Sequence, residues 1–277
     1  MSATINQAVS SIGGSPNLQV VLTASAAGVG SARAENVLGG LSFNLDYAST
    51  VNSPLAQSAG HVNSEMTVSD AGHTLFDLRQ ISANLYVQLD VASFTSIPGV
   101  TLSSAELAGL ELLFQGRWFE ISATQLRSLL PANATTATIS SREQMESRAI
   151  IGAISTLIEK TPYTTLANGG YSQTGKLSSV VNAVLPVITK YSGVSTSPSR
   201  VVGSYTIAFT MSGSMATGAS VSITASSGSS GTGTLALRAS LTHNAVPITA
   251  PSGATVITPA LISQLLGQVR GGATALG

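Results

Sequence analysis

Serine is abundant in this chain, so nucleophilic catalysis is the first chemistry to weigh. In Gly170-Tyr171-Ser172-Gln173-Thr174-Gly175 the second glycine comes one residue too late for the strained turn that presents a nucleophilic serine. No serine stands three residues before Lys160, Lys176 or Lys190, so a Ser-x-x-Lys acylase lacks its first element. His61, His73 and His243 supply imidazoles for a triad, yet no spacing selects one of them. For metal binding, His61, Asn63 and Glu65 share one face of a regular strand, with His73 and Asp77 further on. Three convergent ligands would still need a neighbouring strand, and a solvated polar face is the plainer reading. Asp46, Asp77 and Asp90 lie opposite apolar faces and are expected to point to water rather than to work as paired acids. The Gly-Ser runs near 212–214 and 228–231 are not followed by a lysine and a helix, so no phosphate loop is present. Trp118 and Phe119 suit either core packing or stacking on a sugar or lipid. No enzyme signature, cofactor motif or metal set emerges.

Composition narrows the classes further. The 277 residues carry 12 basic and 12 acidic groups and no cysteine. Zero net charge removes the counterion-release drive of a general nucleic-acid binder. Lack of cysteine excludes a disulfide scaffold, a thiol nucleophile and iron–sulfur ligation. Only 9% of residues are charged while 43% are hydrophobic, the reverse of a disordered chain. Charge is uneven: residues 1–116 hold two basic groups, Arg33 and Arg79, against eight acidic ones, whereas residues beyond 116 are net basic. Ordinary scatter on a sparsely charged surface is the plainer reading; the functional one is a weakly basic pole suited to anionic lipid headgroups. No run reaches the roughly 18 apolar residues of a membrane span. The first residues have no signal-peptide pattern, which fits either a cytosolic protein or a mature region whose export signal was removed; the Ser/Thr/Gly-rich, Lys-poor composition favours the second, and an extracytoplasmic protein is the expectation.

The elements that must position any site follow from periodicity. Residues 2–12 read as a short helix, stopped by Gly13-Gly14-Ser15-Pro16. Period-two alternation then marks strands near 18–23, 41–48, 61–70, 74–81 and 84–91, the last pair separated by Ser82-Ala83. Short helices are expected near 103–113 and 123–130, flanking a strand at 117–121. Ser140 and Glu143 form a capping box before a longer helix, and residues 177–191 form another, containing Pro186. Strands return at 201–211, 219–225 and 234–243, and residues 258–269 read as a terminal helix. No linker or repeat divides the chain, which predicts one domain over 1–277 with a helical middle at about 140–191. The fold class is α+β: a curved antiparallel sheet with helices packed in its concave face, enclosing an elongated apolar space.

Three stretches carry a family resemblance. Asn84-Leu85-Tyr86-Val87-Gln88-Leu89-Asp90, Gly116-Arg117-Trp118-Phe119-Glu120-Ile121-Ser122 and Leu241-Thr242-His243-Asn244-Ala245-Val246-Pro247-Ile248-Thr249-Ala250-Pro251 occur in that order. They resemble actinobacterial exported lipoproteins with a LolA-like half-barrel, related to the mycobacterial lipid-carrying lipoproteins. The resemblance implies a half-barrel closed by helices around a lipid cavity, a cell-envelope location with membrane anchoring of the full-length form, and no catalytic residues.

The expected function is therefore an extracytoplasmic, non-catalytic carrier that sequesters a lipid or other hydrophobic molecule. The alternative is a structural or interaction module of the envelope with a filled core. Alternation assigns the cavity lining to Phe43, Leu45, Val87, Leu89, Ile207, Phe209, Met211, Leu235 and Leu237 from strands, and to Ile154, Val181 and Val184 from helices. The opposite face, with Asn44, Asp46, Gln88, Asp90, Thr206, Thr210, Arg238 and Ser240, should look outward, since desolvating it without partners is costly. No cofactor, metal or nucleic-acid partner is expected.

Overall fold

The computed structural model describes residues 11–28, 31–58, 60–97, 103–114, 116–125, 141–167, 169–192, 202–226, 232–243 and 247–258. Its elements are β1 (Asn17–Ala27), α1 (Ala32–Gly40), β2 (Leu41–Ser49), β3 (Val62–Asp70), β4 (His73–Ile81), β5 (Asn84–Leu89), α2 (Val91–Ser96), α3 (Ser104–Phe114) and β6 (Phe119–Ser122). They continue with α4 (Ser141–Lys160), β7 (Thr164–Thr165), β8 (Tyr171–Lys176), α5 (Leu177–Ser192), β9 (Val202–Ser212), β10 (Met215–Ser226), β11 (Thr232–Thr242) and β12 (Thr255–Val256). Twelve strands join in the order β12-β6-β5-β4-β3-β2-β1-β11-β10-β9-β8-β7, an unclosed sheet. The registers are antiparallel from β1 through β6 and from β7 through β11, and β12 adds to β6 in parallel. The α+β class and the mostly antiparallel sheet expected from alternation are present. Of the helix expected at 2–12 only 11 and 12 are described; they are helical, and the helix runs on through Gly13 and Gly14 before it stops. The Ser140 cap, residues 126–130, residues 227–231 and the terminal helix beyond 258 lie outside the described residues.

Packing divides the chain into two compact units, with β1 shared between them. The meander unit contains β2 to β6, α2, α3 and β12. Its hairpins are tight for identifiable reasons. Between β3 and β4, Ala71 and Gly72 both have positive φ (47° and 86°), the geometry of a two-residue turn that matches strand twist. Between β4 and β5, Ser82 takes φ 54°, and its N–H donates to Asn63 Oδ1 at 3.2 Å. The strand expected to run to Val91 stops at Leu89. Asp90 accepts the Ser93 N–H at 3.1 Å and starts α2 at Val91, whose side chain is buried. A carboxylate that satisfies an orphan N–H competes successfully with two further residues of ladder.

The helix-bearing unit contains α4, α5 and β7 to β11. Helix α4 lies against α5, and α5 against β8 and β9. Pro186 sits inside α5, which continues to Ser192. The short polar pair β7–β8 was not apparent from periodicity. Gln173 explains β8: it is 1% exposed, and its Nε2 donates to the carbonyls of Ile158 (2.6 Å) and Thr161 (2.7 Å), fastening the end of α4 to the sheet. An amide that bonds the last carbonyls of a helix serves as its cap. No helix among the described residues is long and apolar enough to cross a membrane.

Candidate functional site

Directly opposed residues of a ladder share a face, so the registers convert strands into rows of side chains. In the meander unit, Leu45 and Val87 belong to the row Val20–Leu45–Met66–Leu78–Val87–Phe119. Phe43 and Leu89 belong to the next, Leu22–Phe43–Val68–Phe76–Leu89. In the helix-bearing unit, Ile207 and Leu237 share the row Gln173–Ile207–Val221–Leu237. Leu235 pairs with Ile223 and, through it, Tyr205; Phe209 pairs with Tyr171 and lies 6.3 Å from the Tyr163 ring. Met211 pairs with Ala216, and Ile154, Val181 and Val184 are half-buried on α4 and α5 of the same unit. The twelve expected lining residues therefore divide between the two units.

Exposure along one of these rows is graded. Gln173 is 1% exposed under the end of α4, Ile207 is half-buried, Val221 is 36% exposed and Leu237 52%. Among the described residues, the end of α4 is fastened at the β8 end of this row, and the β10–β11 end is the more exposed.

The other face of the meander unit holds a polar row, Gln19–Asp46–Glu65–Arg79–Tyr86–Glu120. Asp77 stands two residues from Arg79 on the same face. Arg79 Nη2 contacts Glu65 at 3.1 Å and Asp77 at 3.3 Å, and its guanidinium lies 4.5 Å from the centre of the Trp118 ring. Asn44 Nδ2 donates to Asp46 at 2.7 Å. Residues 247–249 cross this row. Ile248 is buried there, its carbonyl accepting from Asn63 Nδ2 at 3.2 Å, while the Thr249 carbonyl accepts from Arg79 Nη1 at 3.3 Å. A cleft of about 280 Å³ opens between Gln19, Asp46, Glu65, Arg79, Pro247 and Thr249.

This corrects the outward-facing reading of the acids. Asp46 and Asp77 are 8% and 7% exposed. The cost of desolvating them is offset by the arginine beside Asp77 and by amide donors to Asp46. Burial pushes Asp46 above the usual carboxylate range, opposed by hydrogen bonds from Gln19 and Asn44. Burial also raises Glu65, with the charge of Asp77 adding and Arg79 opposing. Asp77 is raised by burial against the pull of Arg79. Glu65 and Asp77 flank the same guanidinium from neighbouring strands, so the ionised form of either one disfavours ionisation of the other. Asp90 does remain exposed, and its capping bonds hold its carboxyl low.

A second cleft, about 180 Å³, is lined by His73, Thr74, Gln88, Asp90, Ser93 and Gly116. It gathers a histidine, an acid and a serine, but Ser93 Oγ donates to Asp90 Oδ2 at 2.9 Å, a capping bond instead of a nucleophile–base bond. Among the described residues no three His, Cys, Asp or Glu come together to hold a metal ion. Of the two aromatic candidates, Phe119 is core, packed edge-on to Phe114 at 5.4 Å, whereas Trp118 lies on Arg79. No family model matches the sequence, and comparison with curated proteins finds no relative.

Proposed function

We propose that the chain is a non-catalytic, extracytoplasmic binding or carrier protein for a lipid or another hydrophobic molecule. In this reading the sheet curves as a LolA-like half-barrel, α4 and α5 pack on its concave side, and the ligand lies on the apolar face that they leave open. The carrying observation is the row Gln173–Ile207–Val221–Leu237, whose exposure rises from 1% to 52% across four adjacent strands. A methylene chain laid along the open end would gain roughly 0.8 kcal/mol per buried group. Export and anchoring rest on composition and on the sequence resemblance.

The test is uptake of a fluorescent fatty acid, together with native mass spectrometry and lipid extraction of the purified protein. Val221→Lys and Leu237→Lys place a charge at exposed positions, so each should fold normally and lose at least roughly tenfold in uptake, since a desolvated lysine opposes the tail by several kcal/mol. A wild-type chain that neither carries lipophile nor takes up the probe overturns the reading.

Exposed apolar side chains elsewhere, including Phe43 (37%) and Val256 (49%), favour a second reading, an envelope interaction module with a filled core. It predicts concentration-dependent association that Phe43→Ser abolishes, with no uptake of the probe.

A further inference from the structure

The polar row of the meander unit combines an ionisable cluster, a cleft and a crossing segment, and neither reading above uses it. Fully ionised, Asp46, Glu65 and Asp77 place three negative charges around one guanidinium, with Asp46 directly opposite Glu65 across the β2–β3 ladder. Like charges in direct register repel. Two other titratable groups complete the row. Tyr86 faces Arg79 from β5, and Glu120 on β6 accepts from Asn84 Nδ2 at 2.7 Å. Residues 247–249 bring no titratable group of their own. They are held by two carbonyl bonds, from Asn63 and Arg79, and by the buried side chain of Ile248.

We propose that residues 247–249 form a proton-gated strap, closed over Asp46, Glu65, Asp77 and Arg79 while the three carboxyls keep a proton among them and released when all three ionise. Closing the strap removes water from the carboxyls, and burial favours their neutral form. The closed state therefore binds more protons than the open one, and by linkage a rise in pH shifts the balance to the open state. Burial raises all three carboxyls, so the transition falls above the ordinary carboxylate range. Asn63 is the neutral hold on the strap and Arg79 the charge-sensitive one, because only Arg79 is shared between a strap carbonyl and two carboxyls.

The 277 residues include no cysteine, so a single thiol introduced by Ile248→Cys reports on strap opening in the intact chain. Its labelling by a neutral aromatic disulfide is measured from about pH 4 to about pH 8 and divided by the rate in denaturant at the same pH, which removes the thiol's own titration. Ala216→Cys, buried in β10 of the other unit, reports global unfolding. The expected result is an opening constant at 248 that rises by up to about tenfold per pH unit for each proton released, with position 216 level. Adding Glu65→Gln should flatten the rise. In the unsubstituted chain, quenching of Trp118, the single tryptophan, should follow the same pH curve because its ring lies on Arg79. Labelling at 248 that is independent of pH overturns the proposal. So does a rise shared equally by 216, or a Glu65→Gln protein that opens as the parent does.

Discussion

The ring of Tyr205 lies over Gly175, its directly paired neighbour across the β8–β9 ladder. A methyl group built on Gly175 would meet the ring and hydroxyl of Tyr205 at 2.5 Å. Tyr205 is buried, so the ring has little room to retreat. The missing side chain on one strand makes the seat for a large one on the next. Gly175→Ala should destabilise the protein by about 1–3 kcal/mol through overpacking, measured by urea unfolding. A change within experimental error would mean that the ring relocates freely.

Gln173 should be as sensitive for a different reason. Its amide serves two carbonyls at the end of α4 from a position with almost no water access. Gln173→Leu keeps the volume and removes the donors. It should cost roughly 1–3 kcal/mol, since the Thr161 carbonyl loses its amide donor while the Ile158 carbonyl keeps the Thr161 N–H, and hydrogen exchange should show the last turn of α4 loosening first. Unchanged protection there would show that the helix end is held by other contacts.

Stability should fall as pH rises above the ordinary carboxylate range. Asp46, Glu65 and Asp77 have folded-state values above their unfolded ones. Their contribution is fully present below the unfolded values and is lost as pH climbs through the raised ones. Each group loses about 1.4 kcal/mol for every tenfold by which burial favours its protonated form. Thermal unfolding across that range in wild type and in Asp46→Asn measures the slope, which the substitution should reduce. A slope of opposite sign would show that the ion pairs with Arg79 outweigh burial.

Asp90 carries the opposite dependence. Backbone and hydroxyl bonds from Ser93 hold its carboxyl low. Its contribution is present above the unfolded value and disappears as pH drops through the folded one. Asp90→Ala should cost about 1 kcal/mol at neutral pH, the ordinary value of an N-cap, and Asp90→Asn less. Equal losses for alanine and asparagine would point to charge rather than capping geometry.

The alternation at 41–48 and 61–70 located β2 and β3, because a face buried on one side leaves a period of two in the sequence. It also separated apolar from polar faces correctly, yet assigned the polar one to water. Periodicity distinguishes two faces without saying what covers each. The cover for Asp46 and Glu65 comes from residues 247–249, nearly two hundred positions away, a short segment that starts at Pro247 and is followed by Pro251, with no alternation to give a register. Among the described residues the cation paired with them is Arg79, which stands isolated among acids in the sequence, and that isolation is the signal for an internal ion pair. Strand β8 escaped notice because its burial is carried by Gln173 and Gly175, residues poor in strand propensity whose placement depends on partners on α4 and β9. Helix α2 was legible in principle, since Asp90 before Val91 is an N-cap signal, but the hydrophobic alternation of β5 ran straight into it.

The outermost strands of the ladder order, β12 and β7, are two residues long each. An edge strand exposes unpaired N–H and C=O groups that can template another chain, and a long flat edge invites fibrils. The outer neighbours here are Thr255–Val256 on β6 and Thr164–Thr165 on β8, too short to recruit an extended segment in register. A protein so poor in charge has little electrostatic repulsion to keep copies apart. Among the described residues, its protection at the sheet margins lies in geometry, with two-residue outer strands that offer a foreign strand little length to pair with.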